Sequence, residues 1–434
     1  MPAKLPPVIG TDSQENLVKM YGEFVSKSKV KLFKKYGFNI IQGRREGIYI
    51  EALEGIRGHP PLKLIDCRTS GGVFNLGHRH PVVIQALKDA IDGGLDIGDH
   101  HLLSEQRALL AKQLAGLLPP GISKTLFCVG GGEAVDLAIK IARGHTKRKK
   151  VISAVGGYHG VTGVALATGD RRFKDTFLWD IPGFQQVPFG DVDALESAID
   201  DETACVIMET IPATAGILIP PEGYFPAIRE LCDARGAVMI ADEVQAGLGR
   251  TGEMWGIYGG LYPEEKVIPD IIVLAKGMTG SMYPLATCSF RPFLEDIFKD
   301  DPFLHISTTG GSEIGCYVAR KMLEVIAQPE MLAHVKEMGA LLGDGLQALK
   351  EKYTNIVDVR GRGLMWGLEF NHALLGQLNM VGMVQNGLLA DYCGNRESTD
   401  KFMPPFIVEA EDIQEILARL EASLVKLPAS LEGM

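Results

Sequence analysis

Lys276 closes an apolar run, Asp270-Ile271-Ile272-Val273-Leu274-Ala275, and is followed by Gly277. A lysine delivered by a buried strand meets desolvation, which penalises its charged form and frees its amine as a nucleophile. A solvated lysine at a strand end is the plainer alternative. Asp242 closes a second run, Ala237–Ala241, and leads into Glu243-Val244-Gln245. A carboxylate there can hold the protonated ring nitrogen of a flat cofactor, as an electron sink requires. Val244 then offers a surface to the ring and Gln245 a hydrogen bond to a ring hydroxyl, although a metal-binding Asp-Glu pair would read the same way. Glu209 ends Cys205-Val206-Ile207-Met208, where a structural and a functional carboxylate are about equally expected. Tyr158-His159-Gly160 follows Val151–Val155, so the aromatic ring either stacks on a flat ligand or anchors the core. Gly130-Gly131-Gly132-Glu133 follows Thr125–Val129 and opens a helix. Glycine amides at a helix N-terminus can cradle a phosphate, yet the run matches neither the P-loop nor the dinucleotide fingerprint, and a tight turn looks alike. The stretch His305–Gly311 sets Thr308 and Thr309 beside two glycines and adds hydroxyls that could complete such a site.

The elements that must position these groups follow a rhythm. Short apolar runs at Thr125–Val129, Val151–Val155, Ala204–Met208, Ala237–Ala241 and Ile271–Ala275 alternate with helical stretches such as Glu133–Arg143 and Tyr224–Ala234. That is the signature of a mostly parallel sheet buried on both faces, in which ligands bind beyond the carboxyl ends of the strands. Before it, 12–45 read as two helical stretches and 47–66 as short strands around the turn-rich Gly55–Pro61. Amphipathic helices follow His80-Pro81 and Ser104. After about residue 315 the chain is helical again, then strand-like over Ile356–Phe370, irregular over Tyr392–Asp400, and helical from Ala410 to about Leu427. The expected fold class is α/β, a three-layer αβα large domain over 70–320, with a smaller α+β domain built from 1–69 and 321–434 together.

Composition excludes several classes. At 434 residues, 46% hydrophobic and 23% charged, the chain is of globular type. A net charge of −10 argues against a general nucleic-acid partner. No stretch approaches the roughly 20 apolar residues of a membrane span. Met1-Pro-Ala-Lys-Leu-Pro-Pro lacks a signal-peptide layout, which makes a cytoplasmic location the expectation. Seven cysteines, an odd number without a CxxC, suggest neither a disulfide framework nor a metal site.

Taken together and in this order, the segments resemble the class III aminotransferases of the fold-type I pyridoxal-phosphate enzymes, over roughly 45–425. Gly71-Gly72-Val73-Phe74-Asn75-Leu76-Gly77-His78-Arg79-His80-Pro81 and Val359-Arg360-Gly361-Arg362-Gly363-Leu364-Met365 add to the match. The resemblance implies pyridoxal 5'-phosphate as cofactor, carried as a Schiff base on Lys276. It implies Asp242 at the pyridine nitrogen, Val244 behind the ring, Gln245 at the ring oxygen and Tyr158 on the other face. His159 and Glu209 belong to the same cofactor site, Gly131 and Gly132 offer amides to the phosphate, and Thr308 reaches the phosphate of a neighbouring subunit in a homodimer.

Departures from the family pattern concern the phosphate and the substrate. Members often carry Ser-Gly-Thr or Ser-Gly-Ser where this chain has Gly130-Gly131-Gly132. Two hydroxyls are missing, so the phosphate is expected to be held largely by backbone amides, with water or a partner's Thr308 making up the rest. Ornithine-type members have an arginine where this chain has Val161, a second where it has Lys401, and a glutamate where it has Thr214. Lysine does not reproduce the planar fork by which arginine grips a carboxylate. The expected activity is therefore a ping-pong transamination between an amine or amino acid and a carbonyl acceptor, without the two-arginine and glutamate-switch recognition. A substrate carboxylate, if any, would fall to Lys401 or Arg396. A racemase, epimerase or aminomutase on the same scaffold is the alternative, since it needs no second substrate. A non-catalytic relative is disfavoured by the presence of Lys276, Asp242 and Gln245 together.

Overall fold

Strands rich in small and β-branched apolar residues can be buried on both faces, and here they stack into one sheet. In the computed structural model, which describes residues 12–36, 39–53 and 62–427, the order is Lys124–Cys128, Ala286–Phe290, Ile271–Leu274, Val238–Asp242, Thr203–Glu209, Lys150–Ala154, Phe184–Val187. The last five run parallel to one another. Ala286–Phe290 runs against both of its neighbours. Side chains alternate between faces with period two. Cys205, Ile207, Val238, Ile240, Ile271 and Val273 pack with the helix Gly131–Thr146. Val206, Met208, Met239, Ala241, Ile272 and Leu274 pack on the other face with the helices Tyr224–Arg235 and Glu313–Ile326. The expected α/β, three-layer class is the one observed.

Two strands were not expected. Ala286-Thr-Cys-Ser-Phe and Phe184-Gln-Gln-Val lack the apolar continuity of their neighbours. The first is stabilised by ladder pairing that hides its polar atoms: Ser289 lies opposite Thr125, and their hydroxyls meet at 2.9 Å. The 392–400 stretch is not irregular either. Asp391–Cys393 and Arg396–Phe402 form an antiparallel hairpin that extends the sheet of Ile356–Arg362 and Met365–Phe370. The last helix, Ala410–Leu424, stops three residues short of the expected end. The turn-rich stretch 55–61 lies outside the described residues.

Both ends of the chain meet in a third sheet, where Gln42–Glu46, Tyr49–Ala52 and Lys63–Asp66 are joined by Leu388–Leu389 in parallel with Lys63–Asp66. Arg250 ties this region to the central sheet. It is fully buried and donates to the carbonyls of Leu364 (2.9 Å) and Pro404 (2.6 Å) and to Asn75 Oδ1 (2.5 Å), with its guanidinium 4.5 Å from the Phe406 ring. Asn75 in turn presses on Gly277, where a Cβ would fall 2.6 Å from its amide nitrogen. A buried guanidinium, bonded through both of its terminal nitrogens, thus fixes the residue next to Lys276. All seven cysteines are free and buried. Among the described residues no helix is long and apolar enough to cross a membrane.

Candidate active site

Three adjacent strands deliver three ionisable groups to one edge. Glu209 and Asp242 end neighbouring strands and lie opposite each other in the ladder. By alternation both share the face of the helix Gly131–Thr146, because Cys205, Ile207, Val238 and Ile240 do. Lys276 follows the next strand, Ile271–Leu274, and turns there with φ +49°, in the left-handed region that a branched-at-Cβ or bulky residue adopts only under constraint. With the Gln245 amide oriented to satisfy both neighbours, it accepts from Lys276 Nζ at 3.2 Å and donates to the Gly71 carbonyl at 3.3 Å. A Cβ on Gly71 would lie 3.1 Å from Gln245 and 3.5 Å from Lys276 Nζ, so that segment must be glycine at φ +70°.

Asp242 accepts from the Val244 amide at 3.0 Å, and its other oxygen meets His159 Nδ1 at 2.8 Å. His159 is buried, and its Nε2 has no partner. Burial alone would lower the pKa of this imidazole, but the hydrogen bond and charge of Asp242 raise it overall. Glu209 accepts from the Tyr158 amide at 2.8 Å, and burial pushes its carboxyl up, against the opposing pull of His159. The Tyr158 ring meets Phe173 edge-on at 5.3 Å. Burial pushes Lys276 down to about 8, with Lys401 acting in the same sense and the carboxylates of Asp242 and Glu209 opposing. In the cofactor-free protein, capture of an aldehyde by Lys276 is therefore expected to accelerate as pH rises through about 8 and to level off above it. Stopped-flow mixing with pyridoxal phosphate checks this, and a rate still climbing steeply near pH 10 would contradict it.

These groups line a cavity of about 500 Å³ together with Gly130, Gly131, Gly132, Val161 and Thr162. The helix Gly131–Thr146 begins there with Gly130 as a cap that offers no side-chain hydrogen bond, so its first amides are free for an anion. Gly160, at φ +117°, packs so closely that a Cβ there would sit 2.6 Å from Gly132 Cα. The loop after Lys276 contributes Ser281, also left-handed at φ +73°, whose hydroxyl is buried without a partner.

Of the residues singled out in the sequence, Lys276, Asp242, Glu209, Val244, Gln245, Tyr158, His159, Gly131, Gly132 and Val161 all line this cavity. Thr308 does not; it is exposed on the segment before Gly310 and Gly311. Thr214 and Lys401 are also off the lining. The Thr214 carbonyl accepts from the Asn395 amide at 3.0 Å, and Lys401 pairs in the ladder with Gly367 and Asp391. Sequence reasoning missed Thr162, Ser281 and the Arg250–Asn75 support. Asn75 lay within a matching segment, whereas nothing local marked the other three.

The donors fit a flat, phosphorylated pyridine aldehyde: uncapped amides and glycines with room for a phosphate, a carboxylate held for a ring nitrogen, the orphaned His159 Nε2 behind it, and an amine lowered toward neutrality. Fold-type I pyridoxal-phosphate enzymes use the carboxyl edge of a parallel sheet in this way, and the fold and cavity put the chain in that class. The chain belongs to the class III aminotransferases, whose family model matches residues 34–424. It is 46% identical over 415 residues to an uncharacterized aminotransferase of Archaeoglobus fulgidus, covering 96% of this chain and 95% of that one. Its fold is similar to that of a transaminase from the marine bacterium Virgibacillus, with TM-score 0.86, 25% identity and coverage of 95% and 98%. It is also similar to the ornithine aminotransferase of Toxoplasma gondii crystallised with oxidized glutathione, with TM-score 0.83, 25% identity and coverage of 95% and 94%; that structure has partial occupancy of pyridoxal phosphate at the active site. The protein is a pyridoxal-phosphate-dependent aminotransferase.

Proposed function

We propose that this aminotransferase works by a ping-pong cycle on an amine or amino acid whose recognition does not use the two-arginine and glutamate-switch arrangement. When bound, pyridoxal phosphate supplies the electron sink for the negative charge left on the substrate carbon. Lys276 Nζ would hold the cofactor through its aldehyde and, once released from it, would move the proton at the substrate carbon, which its lowered pKa suits. Asp242, held by His159 and the Val244 amide, keeps a proton on the ring nitrogen. Gln245 would orient the ring oxygen, while Val244 and Tyr158, on the cavity lining, would cover the ring and exclude water. Thr308 of one protomer would reach its partner's cofactor phosphate, making a homodimer the working unit; its position off its own cavity supports this. We assign the cofactor domain to 70–320 and the smaller domain to 1–69 with 321–434, on the pairing of the two chain ends. A cytoplasmic location is consistent with seven free cysteines.

The observation that carries the substrate reading is the pairing of the nearby cations. Arg396 is bound to Glu369 at 2.7 Å. Arg360 is held by Glu369 and Asp358, each at 2.6 Å, and by the Gly216 carbonyl. Arg172 binds the Gly394 carbonyl. Lys401 has no ion-pair partner among the described residues, and its charge acts on Lys276. Of the two candidates for a substrate carboxylate, Lys401 is thus the one left available. With Val161 rather than an arginine on the lining, the pocket favours an amine or carbonyl with apolar neighbours. Steady-state kinetics across a panel of amines checks this. The best apolar amine is expected to exceed ornithine with 2-oxoglutarate in kcat/KM by about tenfold or more, the scale of one or two lost charged contacts. Equal or better turnover of ornithine and 2-oxoglutarate would sink the reading.

A further inference from the structure

We infer that the Thr162 hydroxyl, from the same chain, takes the place of the side-chain hydroxyl missing at Gly132 and binds the cofactor phosphate. The first observation is steric. A Cβ built on Gly132 would fall 2.5 Å from Thr162 Oγ1 and 3.4 Å from Thr162 Cβ and Cγ2. The space that a serine or threonine at 132 would fill is therefore already occupied, and by a hydroxyl. The second is how it gets there. The close approach of Gly160 to Gly132 docks the turn Tyr158-His159-Gly160 on the helix start, and two residues later the chain presents Thr162 to the same cavity. The third is that Gly130, Gly131 and Gly132 bring only amides, so a side-chain hydroxyl at the cradle has to come from another segment of the lining, as Thr162 does.

The Thr162 hydroxyl donates to Asp136 Oδ2 at 3.0 Å, and Asp136 Oδ1 accepts from the Ala165 amide at 2.6 Å. One hydroxyl proton serves one acceptor. Turning it to a phosphate oxygen leaves Asp136 with its amide partner, so the switch does not strand the carboxylate. A dianionic phosphate is the stronger acceptor, and such a hydroxyl bond belongs to the charge-assisted class. The glycine run is then no loss of binding groups; the hydroxyl has moved from the helix to the loop that crosses it.

The experiment is equilibrium dialysis of the full-length, cofactor-freed protein against pyridoxal phosphate and, separately, pyridoxal, which lacks the phosphate. Thr162→Val keeps the shape and removes the hydroxyl. It is expected to weaken pyridoxal phosphate binding about tenfold or more while leaving pyridoxal binding within about twofold, and Thr162→Ser should restore the wild-type ratio. Equal weakening of both ligands would mean that Thr162 only holds the 162–165 turn against Asp136, and no change in either would mean that it does not touch the phosphate; each overturns the inference. A paired swap covers the case in which the valine variant fails to fold. Gly132→Ser alone should weaken phosphate-dependent binding, because its Cβ meets Thr162, and Gly132→Ser with Thr162→Gly should recover it by returning the hydroxyl to the helix. If the swap binds pyridoxal phosphate no better than Gly132→Ser alone, the exchange of positions is wrong. Wild-type binding of pyridoxal phosphate in the same dialysis tests the cofactor site separately.

Discussion

Lys276→Ala is expected to abolish measurable transamination and covalent cofactor attachment while leaving a folded protein. Proton transfer by a positioned group is worth about 10²–10⁴ in rate, and among the described residues Lys276 is the one amine lining the cavity beside Asp242 and Gln245. The check is borohydride reduction followed by peptide mass analysis. Wild-type protein should carry one cofactor on the peptide containing Lys276, and the variant none. Stability separates this from misfolding. Burial lowers Lys276 from 10.5 to about 8, so the unfolded chain binds the extra proton between those values. In the cofactor-free protein the penalty is fully present below about pH 8 and fades as pH rises toward 10.5, reaching roughly 3 kcal/mol at its largest. The alanine variant lacks it, and should be the more stable of the two apoproteins at pH 7, with the gap narrowing above pH 8. A variant that loses activity and is also less stable at pH 7 would point to a structural lysine.

Asp242→Asn is expected to keep the cofactor and lose the chemistry. The amide can still accept from Val244 and meet His159, so the geometry survives, but it carries no charge to hold a proton on a ring nitrogen. Removing one preorganised electrostatic partner of developing charge costs about 10²–10³ in rate. Single-turnover bleaching of the bound cofactor by an amine should slow by that factor or more, with little change in cofactor content. His159 should respond as well. Its pKa is raised by Asp242 against burial, so without the carboxylate it should fall below its ordinary value. NMR titration of that imidazole reads the change. A variant with an unaltered single-turnover rate would remove Asp242 from the reaction and leave it as a support for His159.

The convergence of Lys276, Asp242, Gln245, Tyr158 and the glycine run on one cavity was legible because each follows a short apolar run, and strand ends converge on one edge of a parallel sheet. The same logic failed for Ala286–Phe290, whose hydroxyls and small side chains do not mark a buried strand; Thr125 across the ladder satisfies Ser289 instead. It also failed for the hairpin around Arg396, which is stabilised by its pairing with Met365–Phe370 rather than by its own pattern.

The sequence by itself determined the α/β rhythm of the central strands and helices and the residues at their strand ends, and it showed Val161, Thr214 and Lys401 where ornithine-type members carry charged groups. These are local properties, set by side-chain period and by glycine. Only the tertiary structure decided that Lys276 turns through φ +49° toward Gln245, that Arg396 pairs with Glu369 while Lys401 has no ion-pair partner among the described residues, and that Thr162 stands where a side chain at 132 would be. Each depends on segments far apart in the chain meeting within hydrogen-bond distance, and packing rather than local propensity sets such distances.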